Sequence, residues 1–135
     1  MKKIAAFLIA TLLPLAAHAQ IQHINGSPVS EEQLADMIRE YKIDITTRAT
    51  QQLLDTGQVT QERADFIYKA ANDIQISKVA VESATEKENG DYLMVVDYDF
   101  DYRSQPDDRP LMRHEFTLTP VGERYLISEM REAKR

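Results

Sequence analysis

The chain has 135 residues, of which 22 are acidic and 16 are basic, and it contains no cysteine. A formal net charge of −6 disfavours nucleic acid and anionic membranes as partners, because proteins bind phosphate backbones through lysine and arginine. The lack of cysteine excludes disulfides, zinc–thiolate sites and a lipid anchor on a thiol.

The first 19 residues have the features of a secretory signal peptide. A short positive start precedes an apolar run over residues 4–15, and small residues predict cleavage between Ala19 and Gln20. The run is shorter than the roughly 20 apolar residues that span a bilayer. We therefore expect export to a bacterial periplasm, with full secretion as the alternative, and no membrane anchor.

Residues 20–29 have no apolar period and predict a flexible lead-in, and residues 30–135 predict one domain. Ser30 and Gln33 form a capping box at the start of a helix, and Gly57 is suited to end it. Apolar residues recur along this helix at steps of three and four, namely Leu34, Met37, Ile38, Tyr41 and Ile45.

A second helix is predicted to begin at Thr60. Its apolar positions favour one side and comprise Ala64, Phe66, Ile67, Ala70, Ala71 and Ile74. The two helices together predict an αα-hairpin whose apolar faces cover a sheet.

From residue 75 onward the apolar period changes to 2, which indicates β-strands. Strands are predicted near residues 75–87, 91–103, 111–118 and 123–131. The pair Asn89-Gly90 is a strong hairpin signal between the first two strands. The fold class is therefore α+β, with the αα-hairpin packed on one face of a four-stranded antiparallel meander.

The turns also predict registers. A two-residue turn at Asn89-Gly90 places Val81 opposite Tyr98. Turns centred on Asp107 and Val121 predict the further pairs Tyr98–Phe116, Phe100–His114, Tyr102–Met112, Phe116–Leu126, His114–Ser128 and Met112–Met130. All of these pairs lie on one inner face.

Three aspartates alternate with aromatic residues from Asp97 to Tyr102 and are predicted to point outward from the sheet. Three carboxylates in an extended row lie too far apart to share one calcium ion, so we expect no metal site. The sequence has no glycine-rich phosphate loop, and we expect no cofactor. The predicted registers place Lys78 and Arg113 on either side of Asp101.

The same registers place Glu82 beside Asp97 and Glu115 beside Asp99, and such like-charge neighbours destabilise a sheet. A protein partner with a basic surface would remove that cost. The hypothetical partner-binding surface comprises Glu82, Asp97, Asp99, Asp101, Glu115, Tyr125 and Ile127. The alternative is an acidic face that only keeps the protein soluble.

The inner face carries one enzyme-like group, His114, with Ser128 predicted opposite it. A pocket under the helices is hypothesised from Tyr98, Phe100, Tyr102, His114 and Ser128. The alternative is a histidine that is hydrogen-bonded within the core. Ser128 does not lie in a G-x-S-x-G motif, so no serine hydrolase is predicted.

The order of elements, with residues 122–128 as the nearest local likeness, resembles the NTF2-like and cystatin-like folds of small exported proteins. The likeness carries no motif, and it therefore assigns no functional residues. We expect a non-catalytic interaction module, such as an accessory, inhibitor or immunity-type protein. The alternatives are a binder of small apolar ligands and an NTF2-like enzyme with a pocket near His114, and the oligomeric state is left open.

Overall fold

The computed structural model describes residues 26–134, where two helices precede a four-stranded sheet. The elements are α1 (Glu31–Asp55), α2 (Gln61–Asn72), β1 (Ile74–Glu86), β2 (Tyr92–Tyr102), β3 (Met112–Val121) and β4 (Arg124–Glu132). The strands pair antiparallel in the order β1-β2-β3-β4, which confirms the predicted α+β meander. The predicted signal peptide and its cleavage site lie outside the described residues.

In residues 26–134, no helix is long and apolar enough to cross a membrane.

Both helices begin at the predicted caps. Ser30 Oγ accepts a hydrogen bond from the Gln33 backbone N–H at 3.1 Å, and Gln33 Oε1 accepts one from the Ser30 N–H at 2.9 Å. Thr60 Oγ1 accepts from the Arg63 N–H in the same way. Gly57, which follows the C-cap of α1, has φ of 74°, a value that glycine adopts without strain.

Packing begins before Ser30. Ser27 and Val29, which belong to the predicted lead-in, are both buried. Ser27 Oγ donates a hydrogen bond to the Val29 carbonyl oxygen at 2.9 Å and contacts Met94 Sδ at 3.7 Å. Residues 26–29 thus pack against the sheet at the end where β1 and β2 join.

The core lies between α1 and the inner face of the sheet. Leu34 and Ile38 of the predicted apolar stripe are fully buried, whereas Ile45, further along the same stripe, is 37% exposed. The buried hydrophobic cluster comprises Val29, Leu34, Ile38, Val81, Met94, Val96, Tyr98, Phe116 and Leu118. α1 packs against β1, β4 and α2, and Phe66 of α2 is 62% exposed.

The register of β1 with β2 differs from the prediction because β1 contains two irregularities. The first follows Ser77, where Lys78 has φ of 53°, and the second follows Val81. Val81 therefore lies opposite Val96 instead of Tyr98. An extra residue reverses the alternation of inward and outward side chains, and a simple period of two cannot show this.

β3 is also shifted along β2, and His114 lies opposite Val96 instead of Phe100. The observed pairs include Met94–Phe116, Val96–His114 and Tyr98–Met112. The shift is even, so the same side chains face inward as predicted. In the connection, Asp101 Oδ2 accepts a hydrogen bond from the Asp107 N–H at 2.8 Å, which holds the loop against the end of β2.

The turn between β3 and β4 lies further along the chain than predicted. Val121 pairs with Arg124, and Gly122, with φ of 65°, begins the turn between them. This odd shift turns Tyr125 and Ile127 inward, where they pack against the core. Their predicted place on the outer face is therefore wrong.

Candidate functional site

The outer face of the sheet carries an arginine between two of the predicted acidic residues. Arg113 Nε and Nη2 donate hydrogen bonds to the two carboxylate oxygens of Asp97 at 2.7 and 2.8 Å. Arg113 Nη2 also lies 3.4 Å from Glu82 Oε1. Arg113 thus neutralises Asp97, which is 7% exposed, rather than flanking Asp101 as predicted.

The other acidic positions are spread over this face. Asp101 accepts hydrogen bonds from the Asp107 and Tyr102 N–H groups, which lower its carboxyl pKa, and Arg109 Nε lies 3.8 Å away. Glu115 lies opposite Val95 and Arg131 instead of Asp99.

Two of the carboxylates differ from the rest. Among the described residues, Asp99 and Glu115 have no basic side chain within 4.0 Å, although the Ser77 hydroxyl lies 3.4 Å from Asp99 Oδ2. The part of the acidic face that remains uncompensated is therefore smaller than predicted.

Ser128 does not lie in the predicted pocket. Its hydroxyl is 2.8 Å from Thr119 Oγ1 and donates to the Thr117 carbonyl oxygen, on the exposed outer side of β4. His114 pairs instead with Glu132 across the strands. The predicted histidine–serine pair is wrong because the β3–β4 register differs.

His114 is hydrogen-bonded within the core. Its Nδ1 lies 2.7 Å from the Tyr98 hydroxyl oxygen, and the histidine is 7% exposed. Burial and the nearby charge of Lys42 lower the pKa of His114, while Glu132 opposes them. Burial also raises the pKa of the Tyr98 phenol well above its usual range. Both side chains are therefore favoured in their neutral forms near neutral pH.

Lys42 of α1 reaches the same interior. Its Nζ lies 5.4 Å from the centroid of the Tyr98 ring, 5.2 Å from that of the Phe100 ring and 3.8 Å from Met130 Sδ. Within residues 26–134, no carboxylate oxygen lies within 4.0 Å of this amine. Burial lowers the pKa of Lys42, because it disfavours the charged form. The contacts that stabilise the charged amine are the two aromatic faces and a weak sulfur acceptor.

A hollow of about 260 Å³ opens beside Lys42. It lies where α1, α2 and the ends of β1 and β2 meet, and its walls are mainly apolar. The lining residues are Lys42, Ile45, Thr46, Ile67, Ala70, Ala71, Ile74, Phe100 and Tyr102. Two predicted pocket residues, Phe100 and Tyr102, line this hollow, whereas Tyr98 and His114 lie behind it in the core.

Two polar contacts fix the frame of the hollow. Arg39 of α1 donates hydrogen bonds to the carbonyl oxygens of Asn72 and Ile74, both at 2.9 Å, where α2 passes into β1. The Asp73 carboxylate accepts from the Ser104 hydroxyl and backbone N–H, which ties the end of β2 to the same junction. Side chains from α1, from the α2–β1 junction and from the segment after β2 thus hold the residues that frame the hollow.

Lys42 was not among the predicted site residues, but the sequence contains a signal for it. Leu34, Ile38 and Lys42 recur at steps of four, so Lys42 occupies a position of the apolar stripe. A charged residue on the buried side of a helix is uncommon, and this makes it a candidate for function.

In the described part of the chain, no three histidine, aspartate or glutamate side chains are grouped so as to hold a metal ion.

Comparisons with known protein families, curated proteins and solved structures found no match to this chain. The resemblance to NTF2-like and cystatin-like folds therefore stays a prediction from the order of elements.

Proposed function

We propose that this protein is an exported, non-catalytic binding module that holds a small apolar molecule with an anionic group. The ligand occupies the hollow between the helices and the sheet, and its anionic group pairs with Lys42. The observation that carries the proposal is the Lys42 amine, which lies at the wall of an apolar hollow and has no carboxylate within 4.0 Å among the described residues.

Electrostatics favour an anionic ligand over a neutral one. A half-buried ammonium loses part of its hydration, and its contacts with Tyr98, Phe100 and Met130 replace that hydration only partly. A carboxylate or sulfonate would form a charge-assisted hydrogen bond with Nζ. An anion near Lys42 would also offset the charge that lowers the pKa of His114.

The apolar walls favour a ligand whose remainder is hydrocarbon. Ile45, Ile67 and Ile74 supply branched aliphatic surface, and Phe100 and Tyr102 supply aromatic surface. Such walls combined with one polar anchor are typical of sites for small molecules.

A catalytic role for His114 has less support. Its Nδ1 is bound to the Tyr98 hydroxyl, and neither residue lines the hollow. A general base needs hydrogen-bond reach to a substrate proton. We therefore assign the pair to the packing of the core.

The test is a fluorescence titration of the mature protein with 1-anilinonaphthalene-8-sulfonate, an apolar dye with one anionic group. We expect the unmodified protein to bind the dye and Lys42→Met to weaken binding about tenfold or more, since a charged hydrogen bond is lost. Lys87→Met removes the same charge from the exposed β1–β2 connection and serves as the matched control.

Equal dye affinity in the Lys42→Met and Lys87→Met variants would contradict the proposal, as would a folded protein that leaves the dye dark. Near-ultraviolet circular dichroism must show fixed aromatic packing in each variant, because a molten state also binds this dye.

The second candidate is a protein partner with a basic surface, docked on the outer face of the sheet. Asp99 and Glu115 support it, because in the described chain they have no ion-pair partner within 4.0 Å. Affinity capture from periplasmic extract at low and high salt would test it, with Asp99→Asn/Glu115→Gln as the comparison variant. A partner retained equally by that variant would exclude this face.

A further inference from the structure

A second hollow, of about 630 Å³, adjoins the first. It lies between α2 and the end of β2, where Phe66 and Lys69 line one side and Tyr102 and Ser104 line the other. Ala70 and Tyr102 line both hollows, so the two hollows meet at these side chains. The side chain of Ala70 is only a methyl group.

The volumes bear on the size of the ligand. Sites for small molecules measure about 300–1,000 Å³, and a cavity of about 150 Å³ holds one benzene ring. The inner hollow, at about 260 Å³, therefore accepts one ring or a short chain, whereas the outer hollow adds about 630 Å³. A molecule that fills both must be long and narrow at Ala70.

Phe66 lines the outer hollow. It is 62% exposed and stacks only on the Arg63 guanidinium, 5.1 Å from its ring centroid, among the described ring contacts. A large aromatic side chain at the mouth of a hollow leaves apolar surface in water, and a hydrocarbon chain beside it would cover that surface.

Charge fixes the direction of such a ligand. If its hydrocarbon end lay inside, the Lys42 amine would face hydrocarbon and lose its remaining hydration. If its anionic end lies inside, Nζ gains a partner, and the chain points outward over Ala70 and Tyr102, which line both hollows.

Resting on the proposed function, we propose that the ligand is a single-chain amphiphile with one carboxylate. The carboxylate binds Lys42 in the inner hollow, and the alkyl chain extends past Ala70 into the outer hollow beside Phe66.

The test measures displacement of the anilinonaphthalene dye by straight-chain carboxylates from hexanoate to tetradecanoate. We expect the Kd to fall with length, by up to about fourfold for each methylene that becomes buried. A Kd that does not change with length would overturn the proposal, while dye binding that depends on Lys42 would keep the proposed function intact.

Three variants locate the chain. Ala70→Leu adds side-chain volume where the two hollows meet, so we expect it to weaken binding of tetradecanoate more than binding of hexanoate. Phe66→Ala changes an exposed side chain and should not impair folding, and we expect it to weaken the binding of tetradecanoate severalfold. Lys69→Met tests the orientation of the ligand. If the carboxylate lay at the outer mouth, Lys69→Met would bind tetradecanoate more weakly than Lys42→Met does, and that result would overturn the proposed orientation.

Vesicles test whether the anionic amphiphile is a membrane phospholipid instead of a free carboxylic acid. Phosphatidylglycerol vesicles offer anionic phosphodiester headgroups on a bilayer, and free tetradecanoate offers a carboxylate on a single chain. We expect displacement of the dye by the free acid alone. Displacement by vesicles without displacement by free carboxylates would overturn the proposal.

Discussion

The two halves of α1 lie in different surroundings, although the same apolar stripe runs through both. In the first half, Leu34 and Ile38 are fully buried against Met94 and Phe116 in a filled core. In the second half, Lys42, Ile45 and Thr46 line a hollow instead. The periodicity of a helix thus predicts which side faces inward, but not whether the space on that side is filled.

This difference separates stability from binding. The filled half excludes water and supplies most of the apolar burial between α1 and the sheet. The open half leaves an amine with incomplete partners and a hollow without side chains, both of which reduce stability. Features that cost stability are commonly retained where a protein binds something.

Truncating one isoleucine of the stripe in each half of α1 should give the largest difference in stability. Ile38→Ala removes a fully buried side chain, and we expect it to lower the free energy of unfolding by about 2–5 kcal/mol. Ile45→Ala, at a site that is 37% exposed, should cost less than about 1 kcal/mol. Urea denaturation of the two variants measures both values, and equal losses would mean that the halves are packed alike.

The next largest effect concerns the Tyr98–His114 pair, which lies beside Lys42 in the core. Tyr98→Phe removes the hydroxyl that meets His114 Nδ1 at 2.7 Å and leaves a buried imidazole nitrogen without that partner. We expect a loss of about 1–3 kcal/mol. Tyr68→Phe is the matched control, because its hydroxyl bonds to Gln51 on the exposed side of the helices. Equal stability of the two variants would show that the Tyr98 pair contributes nothing.

The pH dependence of stability should identify His114. Its pKa in the folded protein lies below the unfolded value of about 6.5, so the unfolded chain binds the additional proton first. Neutral His114 therefore contributes to the free energy of unfolding above about pH 6.5. This contribution is lost as the pH falls from about 6.5 through the pKa of the folded protein. Lys42 strengthens this shift and Glu132 weakens it.

We expect His114→Gln to flatten the stability profile just below pH 6.5, measured as denaturation midpoints. Asp101, whose carboxyl pKa is also lowered, acts below its ordinary value of 3.8 and does not overlap with this window. An unchanged slope in the His114→Gln variant would show that the histidine does not titrate on unfolding.

The helices and the fold class could be predicted because their signals are local. The Ser30 capping box, Gly57 and the Thr60 cap each act within one turn, and the structure contains all three. The strand bounds followed from the change of period in the same way.

The faces of the strands could be predicted only in part. An extra residue beside Ser77 and another in β4 near Ser128 reverse the alternation, and the sequence has no strong local sign of either. Tyr125 and Ile127 are wrongly predicted outward for a different reason, because the turn between β3 and β4 lies further along the chain than predicted. The even shift between β2 and β3 left the predicted faces unchanged, because a displacement by two repeats of the pleat preserves them.

The site depends on a feature that no local pattern describes. Lys42 stands in the apolar stripe, but the hollow beside it exists because α2 and the ends of β1 and β2 do not fill the space below α1. The hollow follows from tertiary packing, which the periodicity of the sequence does not predict.

Replacing Lys42 should have the smallest effect on stability and a large effect on binding, which sharpens the contrast between the halves. Lys42→Met keeps the length of the side chain and removes an amine whose pKa is lowered by burial. Without ligand, we expect a change of less than about 1 kcal/mol in the stabilising direction, since the desolvated charge is gone. With a bound anionic ligand, the unmodified protein should become the more stable of the two, because binding to the folded state adds stability. Thermal denaturation with and without dodecanoate measures this reversal, and a variant that is destabilised without ligand would show that the amine is part of the packing rather than a binding group.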